Sequence, residues 1–187
     1  MSPTSSDLSR IPWCAHLLAD DRFVVRPTSS RQPKSSGEDS LIAETLQSDR
    51  TIRLWLTQHR KPDHAASPAI PAVRAFLQLG DGLNGYPATC HGGLIATLLD
   101  EIMGVLLTAN VDHTNRNAKT ARGLSSMTAY LNVSYKKPLP LPAVILATAR
   151  YAKVVGRKQY ISAALEDGNG RAYATAEALF IEIKPSL

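Results

Sequence analysis

The chain has 187 residues, of which 44% are hydrophobic, and it carries a formal net charge of +5 at pH 7. This apolar content is enough for one domain with a sizeable core plus an extension. The basic residues are scattered, aromatic residues make up only 6%, and no nucleic-acid-binding motif occurs, which argues against a nucleic-acid partner. No apolar run reaches membrane-spanning length, and the Ser-rich amino terminus lacks a signal-peptide core, so we expect a cytoplasmic protein with no membrane partner.

The first 65 residues are predicted to form an amino-terminal extension, partly helical, that packs at the edge of a domain spanning residues 66–187. A helix is expected from Ser40 to Gln58, where apolar residues recur loosely with helical spacing. The segments Pro27–Asp39 and His59–Pro71 flank it, and their Pro-rich composition is typical of linkers or surface loops. The composition of this extension assigns it no chemistry.

An apolar helix that begins with two glycines is the most informative element of the chain. Gly92 and Gly93 would let a ligand approach the backbone N–H groups of the first helical turn, where the helix dipole favours negative charge. Asp100 lies further along, and a carboxylate held in apolar surroundings is suited to act as a general base. On a helical wheel, the small and polar residues fall on one stripe: Gly93, Thr97, Asp100, Glu101, Gly104 and Thr108. The stripe faces either solvent or a site, and its Gly, Thr and Asp content favours a site.

The spacing of His91 and Asp100 indicates a site built from two chains. Nine positions separate them, which corresponds to ~13 Å along a helix and to roughly opposite sides of it. One chain therefore cannot bring both to one substrate. If both act together, one must come from a second subunit related by a two-fold axis.

The two cysteines do not indicate a metal site or a disulfide framework. Cys14 and Cys90 are the only ones, and they lack metal-type spacing. Cys90 next to His91 could suggest a cysteine nucleophile, but adjacent side chains point apart. A small apolar residue packed at the turn explains Cys90 better.

After the helix, the sequence predicts a polar loop and then an antiparallel sheet. The segment Asn110–Arg122 is expected to be either exposed loop or a mobile wall of a pocket. From Gly123, alternation of polar and apolar residues predicts a strand through Tyr135 that places Thr128 on the polar face. Three further strands are predicted at about Val144–Val155, Gln159–Glu166 and Ala172–Ile183. A helix followed by such a meander is an α+β arrangement.

Several motifs in order resemble those of hotdog-fold acyl-CoA thioesterases, of the PaaI-like phenylacetyl-CoA thioesterase and thioesterase-superfamily type. These motifs are Asn84–Gly93 with Asp100 nine residues after the histidine, Tyr130–Pro138, Val155–Lys158 and Asp167–Gly170. The resemblance covers about residues 70–184, and the extended sequence is similar to uncharacterised fungal members. It implies a hotdog fold, in which a curved antiparallel sheet wraps a long central helix.

The resemblance also implies hydrolysis of an acyl thioester, either an acyl-CoA or a phosphopantetheine-bound acyl chain. The Gly92 N–H would polarise the thioester carbonyl, with His91 and Asn84 orienting it. Asp100 of the partner subunit would activate water or attack directly. Thr128 either helps to hold that water or is an ordinary strand residue.

The resemblance also implies how the substrate binds. It implies no metal, and no cofactor other than the CoA or phosphopantetheine that is part of the substrate. Gly93 and the basic pair Arg157 and Lys158 would contact that group, although the two cations could equally be solvated charges. Glu101 belongs either to the site or to a cap or ion pair. The resemblance is compatible with a homodimer or a dimer of dimers, and with an acyl carrier protein as a partner.

Two other functions remain open from the sequence. A hotdog dehydratase or hydratase would also use a histidine and a carboxylate, but the order of His91 and the glycine pair favours hydrolysis. A non-catalytic acyl-thioester-binding protein is the third alternative, because fold alone does not assign chemistry.

Overall fold

A 25-residue helix lying against a seven-stranded antiparallel sheet dominates the computed structural model, which describes residues 5–116 and 126–183. The helices are α1 (Ser5–Leu8), α2 (Pro12–Leu18) and α3 (Gly92–Arg116). The strands are β1 (Phe23–Arg26), β2 (Ile52–Arg60), β3 (Ala72–Leu79), β4 (Asn84–Tyr86), β5 (Thr89–Cys90), β6 (Ser126–Tyr135), β7 (Ala143–Val155), β8 (Lys158–Glu166) and β9 (Ala172–Glu182). The predicted α+β arrangement and the meander of β7, β8 and β9 are confirmed.

The sheet has the strand order β1-β2-β3-β7-β8-β9-β6, and α3 packs against β3 and β6–β9. Strand β6 therefore forms one edge, where β9 is its only hydrogen-bonded neighbour in the described sheet. The helix side chains that fill the concave face are fully buried: Leu98, Leu99, Ile102, Met103 and Leu106. This burial fixes which side of α3 faces the sheet and leaves its polar stripe for other contacts.

Helix α3 is apolar and long enough to cross a membrane by length and composition alone. The expectation that no apolar run reaches that length was therefore wrong. The apolar side chains of α3 pack in the main core against the sheet, as in the core helix of a globular domain.

The helix predicted over Ser40–Gln58 was wrong. Only Leu41–Thr45 forms a single π-helical turn, and β2 occupies the rest of the segment from Ile52. Strand β2 pairs with β3 along most of its length, and the Trp55 indole N–H donates to Thr57 Oγ1 over 2.9 Å. Residues two apart lie on the same face of a strand, so the extended form brings Trp55 and Thr57 together. Aromatic and β-branched residues such as these favour that form.

The amino-terminal extension contributes to the sheet as well as covering it. Strands β1 and β2 continue the sheet beyond β3, so backbone hydrogen bonds cross the domain boundary predicted after residue 65. Helix α2 covers the outer sheet face, where Trp13 stacks on Phe76 with ring centroids 5.9 Å apart. The extension thus packs on a face of the sheet in addition to its edge.

The loop predicted from Asn110 begins later than expected, because α3 continues to Arg116. The Asn110 side chain explains the continuation: its Oδ1 accepts from the Ile70 N–H, and its Nδ2 donates to the Ile70 carbonyl, both over 2.9 Å. A side-chain amide paired with a backbone amide in this way fixes the last turns of the helix against the segment before β3. Residues 117–122 of the predicted loop lie outside the described residues.

Candidate active site

The start of α3 is organised around the His91 ring. Its Nδ1 accepts the Gly93 backbone N–H over 3.0 Å, so the ring caps the helix. In the neutral imidazole the proton then sits on Nε2, which is left as a donor. The Gly93 N–H is already used, whereas the Gly92 N–H, at the first helical position, has no intrahelical acceptor. The sequence prediction of Gly92 as the carbonyl-binding N–H is consistent with this geometry.

The turn before α3 leaves no room for a side chain behind His91. A Cβ placed on Gly85 would lie 2.8 Å from the His91 Cα, and one on Gly93 would lie 3.1 Å from the ring. Asn84 is exposed in β4, where it pairs with Cys90, so it lies at the same turn as His91. The β4–β5 hairpin therefore brings Asn84, His91 and the helix start together.

A second cluster forms at Asp100, further along the same helix. Thr128 on β6 donates a hydrogen bond from its hydroxyl to Asp100 Oδ1 over 3.0 Å. A β-bulge between Thr128 and Tyr130 adds one residue to β6 opposite β9. Thr128 consequently lies on the same face of β6 as Leu131, the face towards α3. The alternation of polar and apolar residues predicted Thr128 on the opposite face, because it did not take this bulge into account.

Strand β6 runs antiparallel to α3 and also reaches the helix start. The Tyr135 hydroxyl donates to the Gly92 carbonyl over 2.9 Å, a contact that the sequence did not predict. Gly92 and Asp100 are eight positions apart, about 12 Å along the helix axis. Within one chain, the described contacts therefore keep the His91 turn and the Asp100–Thr128 pair separate, in agreement with the geometric prediction.

Glu101 faces an open cleft between α3 and the segment from Arg26 to Asp39. Burial raises the pKa of the Glu101 carboxyl, the Ser30 hydroxyl beside it and the charge of Arg31 oppose the rise, and the neighbouring Asp39 and Asp100 carboxylates add to it. The sequence predicted Pro27–Asp39 only as a linker or surface loop. It gave no signal that this segment would form a wall beside the helix stripe.

Arg157 and Lys158 lie at the hairpin between β7 and β8. Gly156 has a φ of +57°, which favours glycine, and the Arg157 Nη1 donates to the Glu182 carbonyl over 3.2 Å. Lys158 aligns with Ile181 on β9, which in turn aligns with Met127 on β6. Both cations are therefore at the end of the sheet that carries Thr128, away from the His91 turn.

The thiol chemistry agrees with the sequence analysis. Cys90 is buried, and burial raises the pKa of its thiol to about 12. A thiol held in this way is a poor nucleophile. Among the described residues, no cluster of three or more His, Cys, Asp or Glu side chains could hold a metal ion.

Comparison with known proteins finds a family match within this chain. Residues 88–174 match the thioesterase superfamily. The chain carries a thioesterase superfamily domain. The matched range contains both glycines of the helix start, Asp100 and Thr128, so the thioesterase domain holds most of the candidate site.

The relatives of this thioesterase domain extend the match in two ways. Acyl-coenzyme A thioesterase THEM4 of Mus musculus is 34% identical over 112 residues, which cover 59% of this chain and 43% of that protein. The chain therefore spans less than half the length of this relative. Verlamelin biosynthesis protein B of a Lecanicillium species is 28% identical over 196 residues, covering 92% of this chain and 85% of the relative.

Solved structures confirm the hotdog thioesterase fold. A thioesterase superfamily protein has a TM-score of 0.51 and 26% identity, covering 68% of this chain and 53% of its own. A putative thioesterase from Ralstonia eutropha JMP134 has a TM-score of 0.54 and 20% identity, covering 80% and 92%. A hypothetical thioesterase protein from Streptococcus pneumoniae, solved with coenzyme A, has a TM-score of 0.51 and 18% identity, covering 60% and 79%.

Proposed function

We propose that the protein hydrolyses an acyl thioester in sites shared between two copies of the chain. The substrate is either an acyl-CoA or an acyl chain bound to phosphopantetheine. The observation that carries the proposal is that Asp100 on α3 accepts a hydrogen bond from Thr128, while His91 caps the start of the same helix. The thioesterase superfamily match and the curated THEM4 relatives support this reaction class.

The exposed edge of β6 supports a pairing that would complete each site. Antiparallel pairing of two β6 strands, centred between Leu131 and Asn132, would set Thr128 of each chain opposite the partner's Tyr135. Tyr135 contacts Gly92, so this pairing would bring Asp100 towards the partner's helix start. Met127, Tyr130 and Tyr135 are exposed on this strand, and an unpaired edge with exposed apolar side chains favours association.

In such a site, the thioester carbonyl oxygen would accept hydrogen bonds from the Gly92 N–H and from His91 Nε2–H. These donors would stabilise the negative charge that develops on the oxygen as the tetrahedral intermediate forms. Asp100 of the other subunit, oriented by Thr128, would take a proton from the attacking water or attack the carbonyl itself. When water attacks, the thiolate leaves, takes up a proton and gives the free thiol with the free acid. When Asp100 attacks, the thiolate leaves an acyl-aspartyl anhydride, which water then hydrolyses to the free acid and the Asp100 carboxylate.

The remaining assignments belong to the same proposal. Arg157 and Lys158 would contact the CoA phosphates from the Thr128 end of the sheet. A dimer of dimers, an acyl carrier protein as donor of the substrate, and a cytoplasmic location stay predictions. Asn84 is proposed to help orient the carbonyl, from its position beside Cys90.

The test is thiol release from a panel of acyl-CoA and acyl-phosphopantetheine thioesters. We expect turnover by the unmodified protein and a loss of about a hundredfold or more in kcat for Asp100→Asn, because the near-isosteric amide keeps the fold but cannot act as a base. The exposed Asp49→Asn is the matched control and should retain activity. Full activity in Asp100→Asn would remove this carboxylate from the mechanism. Hydration of an enoyl thioester without thiol release would indicate a hydratase, and binding without turnover would indicate an acyl-binding protein.

A further inference from the structure

The cleft beside Glu101 is lined by near neighbours of the Asp100–Thr128 pair. Glu101 is the next residue on α3, and Ser126, which also lines the cleft, precedes Thr128 by two residues on β6. The cleft has a volume of roughly 820 Å³ and extends along the remainder of the helix stripe past Gly104 and Thr108. A group attached to a carbonyl held at Asp100 would therefore lie near one end of this cleft.

The wall opposite α3 is held in place by contacts at several points. Arg26 Nη2 pairs with Asp112 Oδ2 on α3 over 2.5 Å, and the hydroxyls of Thr28 and Thr57 are hydrogen-bonded over 2.7 Å. The Arg31 guanidinium donates to the carbonyls of Ile42, Leu46 and Ile52, over 2.8, 3.3 and 2.9 Å. These contacts link the segment to the helix, to β2 and to the turn before it, so the cleft is preformed.

At the near end of the cleft, one buried hydroxyl lacks a hydrogen-bond partner among the described residues. Ser30 is only 8% exposed, and its Oγ has no partner. It lies next to the Glu101 carboxyl, without a hydrogen bond of ordinary length between them. Two other hydroxyls along the cleft are already used, since Thr108 donates to the Gly104 carbonyl and Tyr151 donates to Gln159. Buried polar groups without partners are uncommon and are costly unless a ligand completes them.

We propose that this cleft receives the acyl group of the substrate and that Glu101 and Ser30 hydrogen-bond a hydroxyl group on that acyl group. The inference rests on the proposed thioester hydrolysis and specifies its substrate class as hydroxylated acyl thioesters. A neutral hydroxyl fits better than an ammonium group, because Arg31 already lies close enough to compensate the charge of Glu101. An unsubstituted acyl chain would leave the Ser30 hydroxyl without a partner.

The experiment compares kcat/KM for pairs of acyl-CoAs of equal chain length, with and without a hydroxyl at successive carbons. For at least one hydroxyl position, we expect the unmodified protein to favour the hydroxylated member by about tenfold or more. Glu101→Leu should remove that preference and Ser30→Ala should reduce it, while Glu101→Gln, which still hydrogen-bonds, should retain part of it. Glu177→Leu, on the outer face of the sheet, is the matched control for the loss of a carboxylate and should keep the wild-type preference.

The outcomes separate the two proposals. Hydrolysis with equal kcat/KM within every pair, or an unchanged preference in Glu101→Leu, overturns the hydroxyl contact and leaves thioester hydrolysis standing. Failure to hydrolyse any thioester overturns the proposed function, and the hydroxyl contact with it. Circular dichroism and the melting temperature establish that each variant is folded before its preference is measured.

Discussion

A mixture of two inactive variants tests whether each site is shared between subunits. Asp100→Asn removes the proposed base, and His91→Ala removes the helix cap together with the Nε2 donor. Each variant alone should lose about a hundredfold or more in kcat. After unfolding and reassembly of an equal mixture, half of the dimers contain one chain of each kind. In such a dimer one site carries both substitutions and the other carries neither.

Half of the dimers are mixed, and each mixed dimer has one intact site out of two. The mixture should therefore regain about a quarter of wild-type activity under two-fold pairing. The contact between Thr128 and Asp100 supplies a matched control, because these residues belong to the same chain and the same half-site. A mixture of Asp100→Asn with Thr128→Val leaves each site of a mixed dimer with one substitution or the other, so no fully intact site is regained. Thiol release is the assay, and differently tagged chains report the fraction of mixed dimers. If mixed dimers form and the first mixture stays inactive, each site lies within a single chain and the shared geometry is wrong.

Three further predictions follow from individual contacts. Arg157→Ala and Lys158→Ala should raise KM for acyl-CoA with little change in kcat, and should not affect a short acyl-pantetheine that lacks the nucleotide; equal effects on both substrates would contradict a phosphate contact. Glu101→Gln should gain stability relative to the wild type as the pH rises from 4 to 7, because burial raises the native pKa of Glu101, the folded chain holds this proton where the unfolded chain releases it, and ionisation then costs stability; urea unfolding at both pH values measures the difference. Gly85→Ala should lower kcat by about tenfold or more, because its Cβ would lie 2.8 Å from the His91 Cα and displace the ring; an unchanged kcat in a folded variant would show that the position of His91 is not critical.

The parts of the fold that the sequence predicted are those with one dominant local pattern. The glycine pair followed by a long apolar run predicts α3, and alternation with turn residues predicts β7, β8 and β9. The segment that became β2 carries apolar residues at spacings compatible with either form. Its pairing with β3, in which partners lie from 14 positions apart (His59 and Val73) to 27 (Ile52 and Leu79), decides the outcome, and such pairing is not visible in a local window.

The candidate site shows the same division between local and distant information. Gly92 and Asp100 lie on one helix and His91 directly precedes it, so their separation could be worked out from helical geometry alone. The orientation of Thr128 depends on a single bulged residue in β6, which breaks the alternation that a sequence pattern assumes. Tyr135 lies 43 positions from Gly92 in the sequence, and Ser30 lies 71 positions from Glu101, yet both come close to α3 in the fold. Nothing in the residue types nearby predicts that either residue would do so.

The division of α3 into two functional halves explains why the extension matters to the proposed chemistry. The first half, from Gly92 to Asp100, together with His91 before it, would supply the groups for the thioester and makes contacts to β6 and to the β4–β5 hairpin. The second half, from Glu101 onward, meets the amino-terminal segment that carries Ser30 and Arg31. Changes in that segment would therefore alter which acyl group fits, while the reacting groups keep their positions. Substrate preference and catalytic rate should accordingly respond to different substitutions in this protein, and the Ser30 and Asp100 variants measure that separation directly.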